Sequence, residues 1–353
     1  KIARSQSGGL VMSALVGNAM DFVPTDSDEE IRLMDFPDST EEIPILDMGA
    51  YLAGEPGALE ETARRLGEIS ETVGFFYVRG HGVPHELVDA VFDQSQRFHN
   101  LPMEVKTRTP HAFVDSFQTG YAPVGGSARR TNVNIIADAK PNLQSKFLVT
   151  RELPPTHPNY KPYNVWPDEP AGFKQTVSAY HAAIERLGRQ FLPLWASSLG
   201  MPLNFFEPFF EAPHVTLSLL HYPPQTSIGE RQYGIAPHTD NSFMTFLAQS
   251  EVPGLAVRMP SGHWRVVGKI PGAFLVNTGN VMVRWTNGRY LSTKHNVINT
   301  SGLERYSIPV FFGPSGDSVI ECIPTCEGPD NPRRFETITY RDLRKWYYNL
   351  GNQ

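Results

Sequence analysis

Cysteine is nearly missing from this chain: 353 residues carry two, Cys322 and Cys326. One short crosslink would constrain little of so long a polypeptide, so a disulfide-stapled secreted scaffold is disfavoured and two free thiols in a reducing compartment are expected. The pair also lacks the further ligands of a zinc site. Excess positive charge is missing too. Lys and Arg number 31 against 37 Asp and Glu, a formal charge of -6, so no cationic field invites nucleic acid. No apolar run approaches the roughly 18 residues that cross a membrane. The nearest, residues 10–16, contains a serine and precedes acidic sequence, which gives little support to a cleaved leader; a soluble, cytoplasmic protein with no membrane partner is expected. No internal repeat is visible, which disfavours a solenoid or propeller.

What is present is enzyme-like: 40% hydrophobic, 19% charged and 11% aromatic residues. Residues 1–42 read as an extended arm, acidic from Asp21 onward with Arg32 its only base there. Residues 43–353 read as one domain with three parts: helix-rich to 200, strand-rich over 201–330, and a final helix within 331–353. Apolar spacing of three and four predicts helices over 56–72, after Pro84, and over 171–199, where Pro193 should kink or shorten the end. Short β-rich runs are expected at 216–222, 243–248, 255–259, 264–267, 274–277, 289–298, 306–312 and 319–323. That spacing predicts a mostly β fold, an antiparallel sandwich or barrel with supporting helices upstream.

The chain holds eleven histidines, and most sit in turns or on helix faces with no matching carboxylate. The segment around His238 differs, because His238 and Asp240 are two apart in strand-like sequence and share a face. His295 lies in a later strand that an antiparallel barrel can bring alongside. Two imidazoles and a carboxylate on one side of an octahedral ion leave adjacent positions open, which suits non-haem Fe(II) that binds oxygen and a co-substrate together. Ten residues on, Arg305 and Ser307 repeat the two-residue spacing. A planar guanidinium and a hydroxyl can hold the far end of a dicarboxylic acid.

With these residues in place, the sequence resembles the isopenicillin N synthase-like family of Fe(II)/2-oxoglutarate-dependent oxygenases. The matching pieces are Ile43-Pro-Ile-Leu-Asp47, the Gly74 to Val83 segment, Gly120-Tyr121, Asn164-Val-Trp-Pro167, His221-Tyr-Pro-Pro224, His238 with Asp240, His295, and Arg305 with Ser307, all in family order. The resemblance implies a double-stranded β-helix, or jelly roll. It implies that His238, Asp240 and His295 bind iron as the catalytic metal, and that Arg305 and Ser307 hold 2-oxoglutarate with Tyr222 nearby. Leu220 departs from the Asn common in plant relatives, which bears on the proximal co-substrate contacts. The implied activity is oxidation of a small organic molecule in specialised metabolism, by hydroxylation, desaturation or ring formation, with O2 consumed and succinate and CO2 released. Alternatives are an iron oxidase of the same fold that uses no keto acid, and a non-catalytic jelly-roll binding protein.

Alternation and adjacency add substrate-side candidates: Phe311 on the face of Arg305 and Ser307, with Asn241 and Phe243 directly after the metal ligands. Arg129, Arg130 and Arg231 are loop cations that could meet an acidic substrate. Trp346, Tyr347 and Tyr348 are candidates for a C-terminal lid. Oligomeric state is left open.

Overall fold

The computed structural model describes residues 41–114, 117–125, 140–153, 155–157, 160–227, 229 and 232–348. The acidic arm to residue 40, Arg129, Arg130 and Arg231 lie outside them. In chain order the strands are β1 (Ile45–Asp47), β2 (Phe75–Arg79), β3 (Ala112–Val114), β4 (Phe117–Ala122), β5 (Ser145–Thr150), β6 (Pro213–Tyr222), β7 (Ile235–His238) and β8 (Met244–Gln249). They continue as β9 (Leu255–Arg258), β10 (Trp264–Val267), β11 (Phe274–Thr278), β12 (His295–Val297), β13 (Arg305–Ser315), β14 (Val319–Ile320) and β15 (Ile338–Thr339). A nine-stranded sheet runs β1-β2-β11-β8-β13-β6-β5-β4-β3, and a four-stranded sheet runs β10-β9-β12-β7. Apart from the parallel β1–β2 pair, the strands of both sheets pair antiparallel. This is the jelly-roll arrangement that the resemblance implies.

The central strands are buried on both faces, and their residues divide by parity. On β6, Val215, Leu217 and Leu219 enter the main core, as do Ile308, Val310 and Phe312 of β13 and Met244, Phe246 and Ala248 of β8. Three helices cover that face: α1 (Ala58–Thr72), α2 (His85–His99) and α3 (Phe173–Ser198), with α3 packed against the other two. The alternate residues, among them Thr216, Ser218, Ser307 and Phe311, turn to the interior between the sheets. A smaller apolar cluster, including Phe75, Tyr77, Leu220, Val257 and Val297, closes one end of that interior.

Two expectations change. Pro193 lies inside α3 and the helix runs on to Ser198, because Leu194, Trp195 and Ala196 are fully buried and hold the last turns in place. The expected strand over 289–298 shrinks to β12. Before it, a short helix α4 (Asn280–Trp285) ends in a turn where Asn287 and Gly288 both adopt positive φ. The following chain bonds to α1's end instead of to a sheet: Leu291 N–H donates to Ser70 O, and the Thr293 hydroxyl donates to Val73 O at 2.6 Å.

α3 approaches the sheet closely at Gly188, where a Cβ would come within 2.9 Å of the Phe312 ring. Phe312 also stacks on Phe210 at 4.9 Å between ring centres. Phe312→Ala should lower stability by about 3–5 kcal/mol through the cavity it leaves, as read by calorimetric unfolding.

Candidate active site

β7 and β12 are neighbours, and their register puts His295 directly opposite His238. The imidazole centres are 4.2 Å apart. Asp240 follows β7 by two residues, and its Oδ1 lies 3.8 Å from Nε2 of each histidine. Nδ1 of His238 faces Ala236 O at 2.8 Å, and Nδ1 of His295 faces Thr293 O at 3.1 Å. A carbonyl only accepts, so each ring carries a proton on Nδ1 and turns Nε2 toward Asp240. Burial pushes the His238 imidazole down to about 4, keeping it neutral. Burial by itself would raise Asp240, but the neighbouring imidazoles and two hydrogen bonds lower it instead. Those bonds come from Thr245 Oγ1 at 2.6 Å and Asn277 Nδ2 at 2.8 Å, both to Oδ2.

Two imidazole nitrogens and an ionised carboxylate, all within 4.8 Å of one another, are a divalent cation's ligand set. Oδ2 is occupied by its donors, so Oδ1 is left to the ion. The sequence marked the three ligands but not Thr245 or Asn277. These two pair across β8 and β11, on the rung that also carries Thr216 and Phe311, and no local motif announces such a pairing.

Arg305 and Ser307 begin β13. Arg305 is 1% exposed, its guanidinium sits 4.8 Å over the Tyr222 ring, and its Nη1 is 3.4 Å from Ser307 Oγ. Its Nε has no partner, and no carboxylate pairs with it among the described residues. Burial lowers the pKa of this guanidinium. A buried cation with an open donor calls for an anion, which a dicarboxylic acid supplies. Two glycines that the sequence reading passed over make room for the stack: a Cβ at Gly234 would meet the Tyr222 ring at 2.9 Å, and one at Gly254 would meet Ile298 O at 2.7 Å and the Arg305 side chain at 3.0 Å.

A cavity of about 310 Å³ opens on His238 and Asp240, with Phe311, Asn241, Lys146 and Tyr347 in its lining. A second, of about 350 Å³, lies on the other side of the Thr239–Asn241 segment and includes Tyr290, Arg258 and Trp346. The final helix, α5 (Tyr340–Tyr347), stands between them, with Tyr347 and Tyr348 toward the first and Trp346 toward the second. Arg305, Ser307 and Tyr222 line neither cavity. Phe243 is misassigned by adjacency: it is wholly buried against Trp195, Phe210 and Trp285 in the main core. The chain leaves strand conformation after His238, so simple succession does not carry a side chain to the cavity.

Comparison with known proteins agrees with this geometry. The model described as non-haem dioxygenase in morphine synthesis N-terminal matches residues 43–169, and that of the 2OG-Fe(II) oxygenase superfamily matches residues 213–314. A 2-oxoglutarate-Fe(II) type oxidoreductase, hxnY of Emericella nidulans, is 34% identical over 86% of this chain and 89% of its own. The 2-oxoglutarate-dependent dioxygenase traH of Penicillium crustosum is 32% identical over 88% and 94%. A full-length Neurospora crassa protein, solved in complex with alpha-KG and thymine, superposes with a TM-score of 0.77 at 27% identity, covering 87% of this chain and 97% of its own.

Thr245→Val and Asn277→Ala each remove one donor from Asp240 without touching a metal ligand. Each should weaken Fe(II) binding by about 10- to 100-fold in an anaerobic titration, with little change in melting temperature. Unchanged metal affinity in both would leave Asp240 oriented by other means.

Proposed function

We propose roles for the side chains of this site from the premise that the chain belongs to the 2OG-Fe(II) oxygenase superfamily. It is an Fe(II)- and 2-oxoglutarate-dependent oxygenase with His238, Asp240 and His295 as its facial triad. In our reading Arg305 and Ser307 bind the distal carboxylate of 2-oxoglutarate. The Tyr222 ring, 4.8 Å from the guanidinium, keeps it pointed at that carboxylate. The cavity beside the triad takes a small organic molecule, and the Neurospora crassa fold relative is solved with one, thymine.

When bound, Fe(II), the keto acid and O2 together supply an oxidant strong enough for an unactivated C–H bond, with succinate and CO2 as co-products. The chain's contribution is placement. His238 and His295 are held in one tautomer by backbone carbonyls, and Asp240 by Thr245 and Asn277. Phe311 and Asn241 bound the substrate on the side next to Asp240, while Tyr347 and Tyr348 screen the cavity from water. Whether the product is hydroxylated, desaturated or cyclised follows from which hydrogen these walls present.

The observation that carries this reading is the fully buried guanidinium of Arg305 with an open Nε and no acidic partner among the described residues. Removing one member of a buried charge pair costs about 2–5 kcal/mol, so Arg305→Ala should weaken 2-oxoglutarate binding by at least about tenfold and suppress succinate release. Consumption of oxygen and substrate by the wild type with no keto acid and no succinate would transfer Arg305 and Ser307 to the substrate. Phe311→Ala should change substrate affinity or product distribution while 2-oxoglutarate affinity stays within about twofold. The reverse ordering would make Phe311 a packing residue.

A further inference from the structure

The cavity beside the triad holds a cation that none of these roles uses. Lys146 projects into it from β5, and no hydrogen-bond acceptor or carboxylate among the described residues pairs with it. The side chain is half-buried in the cavity wall, and desolvation pushes its ammonium down to about 8. Among the described residues the rest of the lining offers no free carboxylate to balance it. Asp240 is its only carboxylate among the described residues and faces the two histidines, while Arg344 of α5 adds a second cation. The remaining walls combine an aromatic group, Phe113, Phe311, Tyr347 and Tyr348, with uncharged polar side chains such as Gln144 and Ser218. Asn241 Nδ2 is buried without a partner in the same lining.

We propose that Lys146 sets the substrate class: an acid whose carboxylate pairs with Lys146 while its flat, apolar body lies along Phe113, Phe311 and Tyr347 beside the metal. This rests on the assignment of Arg305 and Ser307 to 2-oxoglutarate, and the same assignment separates the two anions. The co-substrate's two ends are engaged by the metal and by Arg305, which leaves it no third charge for Lys146. Lys146 shares a rung with Leu220 and Ser307. Two strand spacings put their backbones roughly 10 Å apart. Lys146 lines the open cavity and Ser307 does not. A neutral molecule of the same shape would leave the ammonium desolvated and unpaired, so the site selects against it.

The test is binding to the protein loaded with Fe(II) and 2-oxoglutarate under anaerobic conditions, where no turnover occurs. Benzoate, phenylacetate and cinnamate are each titrated beside the corresponding primary amide. At least one acid should bind about tenfold or more tightly than its amide; Lys146→Met should abolish that difference and Lys146→Arg restore most of it. Affinity for 2-oxoglutarate, titrated separately, should stay within about twofold in both variants. Lack of discrimination in all three pairs overturns the proposal, as does a loss of 2-oxoglutarate affinity in Lys146→Met that matches Arg305→Ala. If Lys146→Met does not fold, the wild-type acid and amide affinities and the Lys146→Arg protein still decide it. Failure of the co-substrate reading is seen elsewhere, as unchanged 2-oxoglutarate binding in Arg305→Ala.

Discussion

Parity along β6, β13, β8 and β11 is the constraint on which the rest of this molecule depends. Each of these strands gives every second residue to the helix-covered core, and the hydrophobic free energy of that face fixes the register of the whole sheet. A slip of one residue would drive Thr216, Ser218 and Ser307 into the helices and expel Val215, Leu217 and Ile308. With that face committed, the other is free to be polar. The nine-stranded sheet thus stabilises the fold on one side and carries the chemistry on the other.

The polar side is ordered in rungs. One rung runs Thr216, Phe311, Thr245, Asn277, and its last two members fasten Asp240. Another runs Lys146, Leu220, Ser307, Gln249, and couples the cavity wall to the pocket of Arg305. The small sheet supplies the two histidines from adjacent strands. The histidines therefore come from one sheet and the donors that fasten Asp240 from the other, so the geometry of the site depends on how the two sheets pack.

Most of this was legible wherever a local pattern carried it. His238, Asp240, His295, Arg305 and Ser307 stand in two-residue spacings or family segments, and the long helix over 173–198 shows in its apolar stripe. What escaped the sequence depends on pairing between distant strands. Thr245 and Asn277 look like ordinary strand residues until β8 and β11 are set side by side, and Lys146 looks like a surface lysine in a loop-rich stretch. Phe243 was misread for the converse reason, since nearness in sequence to Asp240 says nothing once the strand has ended. The strand expected at 289–294 failed because Ser70 of α1 and Val73 just after it capture that segment.

The Thr239–Asn241 segment separates two cavities of comparable size, and Asn241 belongs to the lining of both. It stands where the two linings meet, next to a metal ligand. Its size therefore bears on how far the two spaces stay apart, and with that on the length of molecule that fits beside the metal. Substrate length in such an enzyme can then diverge by change at a single wall position, leaving the ligands and the sheet register untouched.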